Sequence, residues 1–250
     1  MRSYITHSLR EIPRTAAIEE QSAFRFMREV TARKSAGFLS CPEVVVIYRR
    51  CNMKYDYVVI EREYGSGGTG IGKMLAEKTG IPCYGSEILE GVSERLQIPV
   101  SDIQKYEEST TNSFLYSIYA IGKMSEGAEH LLSKENEIFL EEQKLIKEYA
   151  LNSPAIFVGR CAASALKSKN VLKVYVHADA QIRRQRAVKE YGIPENMADS
   201  TMAKYDKKRK NYYNVNTGKK WNDWSNYDII LDSGELGIDA CVHIIQAALE

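Results

Sequence analysis

No hydrophobic run in this sequence is long. The best candidates, such as Val44-Val45-Val46-Ile47, fall well short of the roughly 18 residues that a membrane-spanning helix needs. There is no CxxC pair, and the five cysteines (Cys41, Cys51, Cys83, Cys161, Cys241) are scattered and odd in number. Both facts argue against a disulfide framework or a zinc site and make a reducing cytoplasm the expected setting. Charge of one sign is not in excess either. Lys and Arg total 34 against 33 Asp and Glu, a formal net charge of +1. That balance argues against a nucleic-acid coat or a polybasic membrane binder. Internal repeats and low-complexity tracts are missing. What remains is an ordinary globular composition, 44% hydrophobic over 250 residues, enough for one large domain or one domain with an appendage.

The two parts of the chain differ. Residues 1–52 hold nine Lys/Arg and five Asp/Glu, whereas the remainder holds 25 and 28. The first part has no sustained period beyond a short amphipathic stretch from Ile18 to Val30 and a short strand from Glu43 to Tyr48. It lacks the apolar core and small-residue cleavage site of a secretory signal. It is Arg-rich like an organelle transit peptide, but Glu11, Glu19, Glu20, Glu29 and Glu43 speak against one. Residues 1–52 are expected to be a poorly ordered extension or an upstream addition, with Met53 as the working start before a domain over 53–250.

From residue 54 strand and helix alternate. Tyr57-Val58-Val59-Ile60 is a compact β-rich run. A glycine cluster and a helix to about Lys78 follow, and Gly80-Ile81-Pro82 leads to a second strand, Cys83-Tyr84. Helices fill 86–151, with Ser101 a cap ahead of Ile103 to Glu108, and with Phe139, Leu140, Leu145, Ile146 and Tyr149 on one face. Ala155 to Val158 and Leu172 to Val176 are two further strands, and Asp179 caps the next helix. Residues 195–213 read as a charged helix, Tyr227 to Leu231 as a fifth strand, and Ile238 to Leu249 as a closing helix. Strands apolar on both faces between helices predict an α/β fold of three layers, with a central parallel sheet of about five strands covered on both sides. Such sheets bind ligands at the carboxyl ends of their strands.

The cluster runs Glu61-Arg62-Glu63-Tyr64-Gly65-Ser66-Gly67-Gly68-Thr69-Gly70-Ile71-Gly72-Lys73. It admits three registers. Gly65-x-Gly67-x-x-Gly70 matches a dinucleotide fingerprint, but four residues separate it from Ile60, whereas a pyrophosphate should sit directly over the strand end. Gly67-x4-Gly72-Lys73 matches a phosphate loop, except that Met74 stands where a magnesium-binding hydroxyl is required. In the third register the tip is Gly65-Ser66-Gly67, Gly68 stands where the phosphate lysine normally sits, and Thr69 takes the hydroxyl position. A helix then begins with free N–H groups facing an anion. In that register Arg62 or Lys73 must supply the missing positive charge. The bland alternative is a glycine-rich turn without a ligand. It leaves unexplained why so many glycines, each costly in entropy to order, would sit in a bare connector.

The run Arg62 to Gly68 followed by Ile71-Gly72-Lys73-x-Leu75-Ala76-Glu77-Lys78 resembles the cytidylate kinase-like family of P-loop proteins. Val158-Gly159-Arg160, Val174 to Ala178 with Arg183 and Arg186, Asp206-Lys207-Lys208-Arg209 with Tyr212-Tyr213, Thr217 to Trp221 and Asn226-Tyr227-Asp228 resemble its later motifs. The likeness spans about residues 55–250 in order. It implies a P-loop kinase-like fold with helical acceptor-binding segments and a lid over about 181–215. The implied activity is transfer of a phosphoryl group from ATP, with Mg²⁺, to a nucleoside monophosphate such as CMP or dCMP, or else a nucleotide-binding regulatory module of weak or no activity.

Each residue then has an expected role. Gly65, Ser66, Gly67, Gly68 and Thr69 hold the donor phosphates through their amides, and Thr69 ligands the metal. Arg160 pins the acceptor phosphate bidentately and, with Arg183 and Arg186 on one helix face, stabilises the transferring group. Arg184 is expected to face solvent beside Glu190. Ser86, Asp206 and Arg209 contact the acceptor. Gly85 stands where the kinase relatives carry an aspartate, so the residues do not themselves favour CMP. Tyr116 and Tyr119 are candidates to stack on a base, although tyrosines at helical spacing more often pack. His177 reads as structural, and Trp221 and Trp224 as anchors of the loop before the last strand. The 207–210 run of basic residues beside two tyrosines also has the look of a nucleic-acid patch. With the overall charge neutral, the expected partners are nucleotides, with neither nucleic acid nor membrane.

Overall fold

The computed structural model describes residues 53–109, 134–167 and 169–250. The N-terminal 52 residues, and Tyr116 and Tyr119, lie outside the described residues. Residues Asn52–Glu250 form one compact unit.

Five parallel strands make one sheet in the order β2-β3-β1-β4-β5. β1 is Tyr57–Arg62, β2 Cys83–Tyr84, β3 Ala155–Val158, β4 Val171–His177 and β5 Ile229–Asp232. The central position of β1 explains its composition. It pairs with β3 on one side and β4 on the other, so its first five residues are buried and must be apolar or paired. Its neighbours leave in opposite directions along the chain, which opens a crevice at its carboxyl end.

The helices are α1 (Gly68–Thr79), α2 (Ser86–Leu96), α3 (Val100–Ser109), α4 (Lys134–Asn152), α5 (Ala162–Ala165), α6 (Ala180–Lys189), α7 (Ala198–Thr217) and α8 (Ile238–Leu249). Period-two alternation along β1 splits the core. Val58 and Ile60 pack with Ile71 and Leu75 of α1 and Val242 and Ile245 of α8. Tyr57 and Val59 pack the other way, with Ile88 of α2, Ile146 and Ala150 of α4 and Phe157. Phe157 is fully buried, worth about 1.5–3 kcal/mol in transfer terms. An aromatic cluster of Phe139, Tyr175, Tyr213 and Trp221 seats α7 against the sheet end.

Several boundaries differ from the sequence reading, each for a visible reason. α3 begins at Val100, so Ser101 lies inside it and does not cap it. The fifth strand starts at Ile229 because the Tyr227 hydroxyl donates to the carbonyl of Trp221 at 2.7 Å and its ring packs on Tyr175, 4.9 Å between centroids. The charged helix runs on to Thr217, where Gly218 takes φ 70° and closes it. Asp179 caps α6 as expected, accepting the N–H of Gln181 at 2.8 Å. Among the described residues no helix is long and apolar enough to cross a membrane.

Candidate active site

The glycine loop joins β1 to α1 and is shaped by close approach. Gly65 and Gly67 have φ of 77° and 78°, a region that side chains disfavour. A Cβ on Gly65 would sit 2.6 Å from the carbonyl oxygen of Arg183, and one on Gly67 would overlap Ile238. Ser66 is buried and turned inward, its N–H and hydroxyl both donating to the Glu63 carbonyl at 3.3 and 2.8 Å. α1 starts at Gly68 with no side chain capping it, so the first-turn amides lack intrahelical partners. Thr69 and Gly70 are exposed at this opening. An uncapped, glycine-lined helix start is a cradle for an anion.

Arg62 explains Gly68. A Cβ at position 68 would lie 2.5 Å from the Cβ of Arg62. The arginine stem therefore runs across the place a lysine at 68 would need, and its head lies against Gly159 at the end of β3. Gly72 has a different reason: its Cβ would meet Val158 at 2.9 Å, so it lets α1 settle on β3. Lys73, one residue on, is exposed and its charge acts on Cys83 and Glu87.

The Arg62 head lines a cavity of about 200 Å³ between the ends of β1 and β3 and the helices α3 and α7. Arg160, Lys208 and Arg209 line it too, with Gln104, Tyr205 and Tyr212 among the walls. The Nε of Arg62 is sealed from solvent with no hydrogen-bond partner. Burial, then the neighbouring Arg209, lowers its pKa to about 9, so it stays charged at neutral pH. Burial depresses Arg160 and Arg209 as well. Crowding guanidiniums at a buried strand end is costly unless an anion compensates them. Glu61 supplies part of that compensation. It is 6% exposed and accepts from Trp221 Nε1 at 3.3 Å, and burial raises its carboxyl pKa.

Arg160 sits in an unusual turn. Gly159, Arg160 and Cys161 have φ of 77°, 60° and 51° in succession. α4 reaches this turn with two adjacent polar residues. Glu142 Oε1 lies 3.4 Å from Arg160 Nη1, and Gln143 Nε2 donates to the Arg160 carbonyl at 3.0 Å. The other Glu142 oxygen accepts from the Tyr212 hydroxyl. Burial pushes the Glu142 carboxyl up to about 8.

Residues of α6 and α7 grip the loop. Asp206 Oδ1 accepts the Tyr64 N–H at 2.7 Å and Oδ2 accepts from Arg183 Nη1 at 2.6 Å. Arg183 also meets Glu63 at 3.4 Å and donates to the Tyr64 carbonyl at 3.3 Å. Arg209 donates to the Arg62 carbonyl at 3.0 Å and lies over the Tyr64 ring, which stacks on Tyr205 at 4.8 Å. Arg186 donates to the Ser233 hydroxyl at 2.9 Å and to the Gly65 carbonyl at 3.4 Å. Arg184 points elsewhere, to Glu195 at 3.2 Å and Asp199 at 3.6 Å rather than to Glu190.

The structure thus brings Arg62, Arg160 and Arg209 to one cavity and gathers Asp206, Arg183 and Arg186 on the loop beside it. Ser86 is not brought there. It is the exposed first residue of α2, next to Glu87, whose carboxylate accepts the Gly85 N–H at 2.7 Å. Arg95 bridges Glu141 and Glu148 on the surface at 2.9 and 2.5 Å. His177 faces Asp232 at 3.8 Å and the ring of Trp224. Trp221 is buried and its backbone N–H donates to Asn214 Oδ1 at 2.7 Å, whereas Trp224 is half exposed. Glu61, Gln104, Glu142 and Gln143 escape the sequence reading. The last two carried a signal, because they fall within the apolar stripe of α4 between Phe139 and Ile146.

The chain is similar to several known proteins. A cytidylate kinase from Pyrococcus horikoshii is 25% identical over 188 residues, covering 74% of this chain and 84% of its own. The cytidylate kinase of Archaeoglobus fulgidus is 21% identical over 198 residues, 77% and 94% of the two chains. That of Thermococcus sibiricus is 31% identical over 115 residues, 46% and 58% of the two. A solved structure of an uncharacterised protein from Eubacterium ventriosum superposes with a TM-score of 0.57 at 26% identity, over 77% of this chain and 97% of that one. Residues 57–235 match the cytidylate kinase-like family. The chain belongs to that family and is a nucleoside monophosphate kinase-like phosphotransferase.

Proposed function

We propose that this protein moves the γ-phosphoryl group of ATP to a nucleoside monophosphate, CMP or dCMP being the first acceptors to test. The observation that carries the reading is the cavity where Arg62, Arg160, Lys208 and Arg209 meet beside an uncapped helix start. Phosphoryl transfer asks a protein for positioning and charge neutralisation more than for covalent chemistry. The amides from Gly65 to Thr69 hold the donor phosphates. Arg62, whose stem crosses Gly68, supplies the charge that a loop lysine would give. Arg160 receives the acceptor phosphate, for which a guanidinium fork suits two oxygens at once.

Asp206 acts indirectly, by holding the Tyr64 backbone and Arg183 at the loop, while Arg209 lines the cavity and fixes the Arg62 backbone. Arg183 and Arg186 brace the loop and keep two cations beside the transferring group. Ser86, expected at the acceptor, and Lys73, expected at the donor phosphates, stand outside the cavity lining. The donor set fits a polyphosphate: glycines without Cβ, open amides and an orphaned buried guanidine nitrogen. Among the described residues no three His, Cys, Asp or Glu side chains gather as a metal site. A Mg²⁺ ion would therefore be held by phosphate oxygens with Thr69 as its side-chain ligand, adding charge neutralisation there. The expected setting remains the cytoplasm, with nucleotides as partners.

The test is direct. Purified protein is incubated with ATP, Mg²⁺ and a panel of nucleoside monophosphates, and ADP is followed. Turnover that is lost in Arg160→Ala supports the reading. Nucleotide binding without turnover for any acceptor replaces it with a regulatory binding module.

A further inference from the structure

We propose that Glu142 and Gln143, neighbours on α4, are positioning residues that hold Arg160 in the cavity, one by its side chain and the other by its backbone. The inference rests on the reading of Arg160 as the acceptor-phosphate residue. Three observations lead to it.

The first is conformational. Gly159, Arg160 and Cys161 all have positive φ, and two of them carry side chains. A non-glycine residue in that region persists only where its surroundings hold it, and such residues cluster at functional sites. Without the turn, the chain leaving β3 would aim residue 160 elsewhere.

The second is the nature of what holds it. Gln143 is 7% exposed, and its amide donates to the carbonyl of Arg160. The carbonyl of the strained residue is therefore fixed by a side chain from another element. Glu142, fully buried, faces the guanidinium of the same residue. Two adjacent helix positions point about 100° apart, so both reach residue 160 only because its backbone and its side chain lie on different sides of the helix stripe.

The third is cost. A buried carboxylic group and a buried amide on an apolar helix face weaken the core unless they are satisfied. Here they spend their hydrogen bonds on Arg160 and on Tyr212, itself a cavity wall. The groups facing Glu142 are Arg160 and Cys161 from the turn and Tyr212 from α7. It is therefore placed between the cavity's floor and its lid helix.

Steady-state kinetics with the nucleoside monophosphate that the wild type accepts test the proposal. Gln143→Met keeps volume and removes the donor. KM for the acceptor is expected to rise about tenfold, the worth of one buried hydrogen bond, with KM for ATP within about twofold of wild type. Glu142→Gln keeps an acceptor for Tyr212 but sets an amide in place of the carboxyl against the guanidinium, and a rise of about threefold is expected. Because turnover is lost without Arg160, the acceptor's Kd by calorimetry is compared in the Arg160→Met background, where either change should add less than about twofold, because both act through Arg160. Where Gln143→Met melts below the assay temperature, Glu142→Gln carries the same readouts. An unchanged acceptor KM in the single variants overturns the proposal, as do effects that multiply fully with Arg160→Met. No ADP from the wild type with any acceptor overturns the cavity reading and this inference with it, whereas wild-type turnover with unaltered variants overturns the inference alone.

Discussion

Arg62 and Gly159 are packed so closely that a methyl group on the glycine would overlap the arginine's Nη1. These residues end neighbouring strands of the sheet, and the guanidinium lies where any other residue at 159 would place its side chain. Glycine at 159 is thus required twice, by the contact and by its φ of 77°. Gly159→Ala is expected to cost about 1–3 kcal/mol in stability and to raise the acceptor KM by pushing Arg62 from the cavity. Denaturant titration and initial rates check it. A variant that folds and turns over like the wild type would remove Arg62 from the site.

Gly68→Lys restores the residue type usual for a phosphate loop, yet it should not restore function. The new stem collides with that of Arg62, whose Cβ is 2.5 Å from the Cβ position. The single variant is expected to melt lower and to bind ATP more weakly than the wild type. Combining it with Arg62→Gly clears the space and should recover part of the lost affinity, because one cation then replaces the other. Calorimetric ATP binding decides: tighter binding by Gly68→Lys alone would mean that Arg62 does not occupy the lysine's place.

Glu142 makes stability depend on pH in a stated direction. Burial raises its carboxyl from the ordinary value near 4.5 to about 8, so between these values the folded state holds a proton that the unfolded state has released. Stability is then fully present below pH ~4.5 and declines as pH rises toward 8, by at most about 1 kcal/mol per pH unit, with the hydrogen bond from Tyr212 limiting the shift. Glu61 and Glu63, both raised by burial, act in the same sense. Above pH ~9 the lowered Arg62 contributes with opposite sign, so the window closes there. Urea midpoints from pH 5 to 8.5 should fall for the wild type and fall less for Glu142→Gln. Parallel profiles would show that Glu142 titrates normally.

Asp206 divides its two oxygens between the Tyr64 N–H and Arg183. Asp206→Asn retains shape but weakens both charge-assisted bonds, with a loss of about 1–3 kcal/mol. The glycine loop is the segment released, so KM for ATP should rise severalfold, and more than KM for the acceptor. An equal rise in both would place Asp206 on the cavity instead.

Arg95 offers a control. Its contacts with Glu141 and Glu148 are short, yet its side chain is 39% exposed. Exposed pairs contribute little, so Arg95→Ala should change stability by less than about 1 kcal/mol and leave both KM values alone. A marked kinetic effect would bring α2 into the site.

The strands were legible because parallel strands buried on both faces read as continuous apolar runs, as in Tyr57 to Ile60 and Ala155 to Val158. The glycine cluster stood out by its composition, and its place between strand and helix favoured the register with Gly68 in the lysine's position. The contacts that require Gly68 and Gly72, the crossing of Arg62 and the seat on β3, were not legible, because neither is local in sequence. The same holds for Ser86 and Lys73, which lie near the loop along the chain yet outside the cavity. Arg160 was visible from its place after a strand. Its holders were not, because helical periodicity assigns Glu142 and Gln143 to a face without saying what 18 residues of later chain will set against it.

The hydroxyl of Ser233 donates to the carbonyl of Ser66 at 2.5 Å across 167 residues of sequence, while also receiving Arg186. The first loop of the domain is thus clasped by residues just past its last strand. During synthesis, a ribosome must have released these late residues before the clasp can close, so the loop is fastened late and all at once. A nascent chain lacking β5 and α8 would carry the right glycines in an unfastened bend.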